Sequence, residues 1–93
     1  MRVYIVSYGL GKKKNHIGLF EQLQASGGWW HYLDSTWLIA TQDDANQLYR
    51  RLKPHIDEQE DSILIIQAGT DMQGWLPKDA WEWIHRELLG LPE

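Results

Sequence analysis

The sequence predicts an α+β domain, and three observations carry that prediction. Short β-branched and aromatic runs alternate with stretches of helical spacing. Two of the strand-like runs follow one another closely enough to form a hairpin, which a purely parallel sheet would not contain. The resulting order of strand, helix, strand, strand, helix, strand is the split βαβ arrangement of ferredoxin-like domains, here with an additional C-terminal helix.

Each element has its own signal. Residues 2 to 8, RVYIVSY, end at Gly9 and read as a buried strand. Ile17, Phe20, Leu23 and Gln24 then follow helical spacing, with Asn15 as the cap and Gly27 and Gly28 as the stop. In 27-GGWWHYLDSTWLIA-40, Trp29 to Leu33 and Thr36 to Ala40 are strands joined by Asp34 and Ser35, residue types that bond their own backbone in turns. Strict alternation sends Trp30 and Tyr32 to one face and Trp29, His31 and Leu33 to the other. Thr41 with Asp44 offers a capping box for a helix carrying Ala45, Leu48, Tyr49 and Leu52, and Pro54 ends it. The run 63-ILIIQA-68 reads as a further buried strand closed by Gly69. Pro77, taken as the first helical position, opens the last helix, with Ala80, Trp81, Ile84 and Leu88 on one stripe. Trp81 and Trp83 fall on different sides of it.

Composition bounds the rest. The 93 residues predict a single domain over 1–93 with one core, and 43% hydrophobic with 24% charged residues is the balance of a globular chain. No apolar run is long enough to cross a bilayer, and the N-terminus has no signal-peptide pattern, so a cytoplasmic protein without membrane contact is expected. With no cysteine there is neither a disulfide framework nor a thiolate metal site. A net charge of -4 opposes broad nonspecific nucleic-acid binding. The bases nevertheless cluster at Lys12, Lys13, Lys14 and at Arg50, Arg51, Lys53, against an acidic run at 57-DEQED-61.

In the βαββαβ arrangement one sheet edge collects the lysine loop, the start of the first helix, the Asp34-Ser35 turn, the basic end of the second helix and the acidic loop. The segment 8-YGLGKKKN-15 follows a strand and opens a helix, so backbone amides and lysines there could cradle a phosphate. It is neither a P-loop nor a dinucleotide fingerprint. The candidate ligand-binding residues are therefore Lys12, Lys13, Lys14, Asn15, Arg50 and Arg51, set against the plain reading of a solvated loop and a helix end. His16, His31, His55 and His85 lack metal-ligand spacing, and no metal or cofactor is expected. His31, Asp34 and Ser35 contain the residue types of a hydrolytic triad, but turn formation is the plainer role of Asp34 and Ser35.

Tyr8 at the end of the first strand and Asp34-Ser35-Thr36-Trp37 in an aromatic-rich segment resemble the small CRISPR-associated adaptation protein and the related virulence-associated protein D. The short bacterial proteins labelled SinR-like are more similar still. The resemblance spans about residues 1 to 68, and what it implies is a ferredoxin-like homodimer in a bacterial defence or toxin-antitoxin setting. Metal-dependent nucleases of that group place an aspartate directly after the strand-end aromatic residue, where this chain has Gly9. The expectation is a noncatalytic binding protein for nucleic acid, a nucleotide or a protein partner. One alternative is a Mg²⁺-dependent endoribonuclease using Asp34 with Ser35. Another is a pure protein-interaction module.

Overall fold

The computed structural model describes residues 1–12 and 15–90. In chain order the elements are β1 (Arg2–Gly9), α1 (Ile17–Gln24), β2 (Gly28–Leu33), β3 (Thr36–Thr41), α2 (Ala45–Leu52), a 3-10 turn (Lys53–His55), β4 (Ser62–Gln67) and α3 (Lys78–Leu89). The chain is α+β. Its four strands form one sheet in the order β2-β3-β1-β4, and every neighbouring pair is antiparallel.

Period-two alternation decides which side chains meet the helices. Tyr4 and Val6 of β1 and Trp37 and Ile39 of β3 point to one face, where Leu19 and Leu23 of α1 and Leu48 and Leu52 of α2 close the core. Each helix supplies its pair at i, i+4 spacing, so one turn of each presents a single apolar stripe. On the other face α3 lies across β2 and β1, burying Ala80 and Ile84, and Val3, Trp30 and Ala40 of the sheet are also buried.

Local chemistry departs from the sequence reading at four places. The capping box of α2 is Asp44 with Gln47, whose side chains each accept the other's backbone N–H at 2.8 Å. Thr41 Oγ1 instead accepts from the Asp43 N–H in the preceding turn, so the box sits three residues later than Thr41 suggested. Pro77 is the N-cap of α3 rather than its first helical residue, with an extended ψ of 156°. β4 is not a buried strand: Ile63 and Ile65 are half-buried against the core, and Leu64 and Ile66 lie on the face that α3 leaves bare, 57% and 52% exposed. Finally, the β2–β3 register slips between Trp30 and Leu33. This bulge puts Leu33 on the Thr36 side of the sheet, beside Leu38 and Ile5 and not with Trp29 and His31.

Candidate functional site

The sheet edge at the end of β1 is tied together by an aromatic cluster. Tyr8 donates its backbone N–H to Ser35 O at 3.1 Å, joining β1 to the hairpin turn. Its hydroxyl accepts the Trp37 Nε1–H at 2.9 Å and donates to Asp34 O at 3.5 Å. His31 stacks on the Trp37 ring at 4.0 Å and 12°, and its Nε2 bonds to Asp34 O at 3.2 Å. A carbonyl can only accept, so Nε2 carries the proton. Phe20 of α1 lies over Trp37 at 6.0 Å. Trp37 is therefore a core ring, 2% exposed, while Trp29 sits tilted against it at 5.4 Å and is partly open. The crowded tryptophans are mostly structure. Asp34 and Ser35 stay exposed in the turn, where their backbone carbonyls do the bonding.

The described basic candidates have different surroundings. Lys12 is exposed in the loop after β1, and Lys13 and Lys14 lie outside the described residues. Asn15 Oδ1 accepts the Ile17 N–H at 2.9 Å, so it serves the start of α1. The Gly11 N–H, which a phosphate would need, is donated to Asp61 Oδ1 at 2.7 Å. Asp61 is buried, and its other oxygen accepts the Asp57 N–H at 2.9 Å. A Cβ on Gly11 would stand 2.8 Å from the Glu60 carboxylate, so the loop rests directly against the acidic run. Carboxylates thus occupy the place an anion would take, and like charge there is unfavourable. His16 Nε2 bonds Gly11 O at 2.9 Å from the same side, with its Nδ1 buried and unpartnered.

Arg50 is exposed on α2, whereas Arg51 points the other way. Its Nε pairs with Asp43 at 3.0 Å, Nη1 donates to Gln22 O at 3.0 Å, and Nη2 donates to Ser26 Oγ at 2.9 Å. One guanidinium so clasps the end of α1 to the entry of α2.

Sequence reasoning passed over the segment between β4 and α3, which helps build an apolar concavity. A groove of about 350 Å³ is lined by Val3, Ile5 and Leu38 of the sheet, Met72 and Trp75 of the segment, and Ile84 of α3. Trp75 is 96% exposed. Three large apolar residues, Met72, Trp75 and Leu76, in a stretch without period, 69-GTDMQGWL-76, were the available signal. On the neighbouring side of α3, Tyr32 Oη donates to Asp79 Oδ2 at 2.5 Å. That bond, then partial burial and the Asp79 charge, raise the Tyr32 pKa above the usual value near 10. Trp30 Nε1 is buried there without a partner.

Among the described residues no group of three or more His, Cys, Asp or Glu side chains is placed to hold a metal ion, and no helix is long and apolar enough to cross a membrane. A Cβ on Gly9 meets nothing within 4 Å, so the backbone there has room for a side chain. No protein-family model matches the chain, and comparison with curated proteins and with solved structures finds no significant match.

Proposed function

We propose that this chain is a noncatalytic, homodimeric binding protein of ferredoxin-like fold whose partner is a polypeptide. The strand order β2-β3-β1-β4, antiparallel throughout, with α1 and α2 on one face, supports the ferredoxin-like reading. The defence or toxin-antitoxin setting belongs to the same proposal. Its support is that Tyr8, Ser35 and Trp37, which carry the resemblance, form one bonded cluster.

One observation carries the choice of partner: the apolar groove beneath α3 opens beside Trp75, an aromatic side chain almost wholly in water. Large aromatic rings bordering an apolar concavity are what protein interfaces use as anchors. The start of the loop after β1 favours nucleic acid less, because Asp61 and Glu60 already face Gly11.

The test compares two variants on the purified chain. Trp75→Ala should abolish capture of a defined protein partner and reduce binding of an apolar fluorophore, while Lys12→Ala leaves both unchanged. Short RNA and DNA should show no mobility shift and should stay intact with Mg²⁺ or Mn²⁺. A salt-sensitive shift lost in Lys12→Ala would favour a nucleic-acid partner, and cleavage abolished by Asp34→Ala would make the chain an endoribonuclease.

A further inference from the structure

The two free edges of the sheet are built differently. At β2 the ladder is interrupted by the bulge between Trp30 and Leu33, and Asp79, Glu82 and Arg86 of α3 flank that edge. Irregularity and charge are how proteins guard an edge against further pairing. β4 has neither. Its residues SILIIQ hold one continuous register with β1 and contain no charge, proline or glycine.

The phase of that ladder shows what β4 offers outward. Ala68 donates its N–H to Val3 O at 2.8 Å, one step beyond the Tyr4–Gln67 pair. Hydrogen-bonded pairs alternate, so Ile5–Ile66 and Ser7–Leu64 also exchange bonds, while the main-chain groups of Ile63, Ile65 and Gln67 point to the free edge. Side chains alternate too: Leu64 and Ile66 face the bare side beside Ile5, which is 36% exposed. Along the outer edge, between β4 and α2, runs a cavity of about 500 Å³ lined by Ala45, Tyr49, Ile56, Ile63 and Ile65.

We infer that β4 pairs antiparallel with β4 of a second copy across a two-fold axis at Ile65, joining the two sheets into one. This rests on the homodimer part of the function proposed above. Two conditions select the register. Opposed residues in a continuous sheet share a face, and outward main-chain groups must meet outward groups. Both hold when Ile65 faces Ile65, Ile63 faces Gln67 and Leu64 faces Ile66, which engages all three outward residues of each copy. Leu64 and Ile66 then cover each other on the bare face, and the cavity beside α2 receives the same residues from the partner.

Charge permits the arrangement. Antiparallel pairing sends the two acidic loops to opposite ends of the seam, about 26 Å apart at 3.3 Å per residue, well beyond a Debye length of about 8 Å. The guarded β2 edge blocks the head-to-tail β4-to-β2 contact that would grow into a fibre, so the two-fold contact closes. The seam is smaller than a standard interface of about 800 Å² per partner, and the expected dissociation constant is micromolar.

Sedimentation of the full chain from about 1 to 200 µM reads the equilibrium directly. Gln67→Pro removes an outward N–H and leaves the β1 ladder whole, so circular dichroism should stay native while the dissociation constant rises about 5- to 150-fold. Ile65→Cys, in a chain without cysteine, puts two thiols at a hydrogen-bonded pair about 5.5 Å apart between Cα atoms, within disulfide range. It should oxidise to a covalent dimer. Leu64→Cys should not, because its counterpart lies on the diagonal at about 7–8 Å. A wild-type chain that stays monomeric overturns both this seam and the homodimer. A dimer indifferent to Gln67→Pro, or linked through Leu64→Cys and not Ile65→Cys, overturns the seam alone and moves the contact to the sheet face.

Discussion

Arg51 is the residue on which a ligand-binding role and a structural role differ most in outcome. Truncation to alanine removes the Asp43 ion pair and the bonds to Gln22 O and Ser26 Oγ at once. The Arg51 and Asp43 side chains are 29% and 33% exposed, so screening holds the ion pair to about 0.2–1 kcal/mol. Each of the other two bonds contributes about 0.5–1.5 kcal/mol net. The loss is therefore about 1–4 kcal/mol, and at about 4–8 °C per kcal/mol for a domain of this size the melting temperature should fall by at least about 5 °C. Arg51→Lys should recover only part of this, because an ammonium cannot reproduce the planar fork that reaches three acceptors. Arg50→Ala, on the exposed side of the same helix, should change the melting temperature by no more than an ordinary surface substitution. Scanning calorimetry of the four proteins decides the matter. A melting point for Arg51→Ala equal to wild type would refute the clasp and return Arg51 to the surface as a candidate phosphate ligand.

Other perturbations follow from the same contacts. Asp61→Ala leaves the Gly11 and Asp57 N–H groups without their acceptor and should cost about 2–4 kcal/mol in urea unfolding, where a loss below about 1 kcal/mol contradicts the assignment. Tyr8→Phe strands the Trp37 indole N–H in the core and should cost about 1–3 kcal/mol by the same assay. Gly9→Asp should be neutral within about 0.5 kcal/mol, since its Cβ has room, and a large loss would show that the strand end needs glycine. The Tyr32 phenol is held protonated by its bond to Asp79, so folding favours the neutral form. That contribution is complete below about pH 10 and is lost as pH rises through the elevated folded pKa. The Tyr32 phenolate, followed by its own NMR ring signal, should titrate at higher pH in wild type than in Asp79→Asn.

The sequence made the order of helices and strands legible because period and punctuation agreed on where most of them lie. Leu48 and Leu52 repeat at the helical interval, and Pro54 and Gly90 stand at the ends, whereas in α1 the buried pair is Leu19 with Leu23, Ile17 of the expected stripe is 57% exposed, and the helix closes at Ala25 before the glycines. The gathering of the β1 end, the Asp34-Ser35 turn and the acidic loop at one edge followed from strand direction alone, and the Tyr8–Ser35 and Gly11–Asp61 bonds now join them. The inward turn of Arg51 has a reason no local pattern carries. A long side chain such as Arg51 goes where acceptors are, and Gln22 O and Ser26 come from a different helix end. Trp75 was missed because a single ring in an aperiodic segment has no period to betray which way it faces.

The β2 bulge links the site, the groove and the bare edge. By adding a residue on one side, it turns both Tyr32 and Leu33 toward α3, where strict alternation would have sent them apart. Tyr32 then holds Asp79 in the first turn of α3 and packs edge-on against Trp30 at 5.1 Å. A helix anchored at β2 covers β2, β3 and the near side of β1, and its width of about 10 Å does not also reach β4. Leu64 and Ile66 are therefore left uncovered by construction, not by a shortage of apolar residues. If the anchor matters, Tyr32→Phe should raise amide exchange in the first turn of α3 and leave the β1–β4 ladder protected. Equal exchange in both proteins would mean that Ala80 and Ile84 alone fix the helix, and that the bulge only guards its edge.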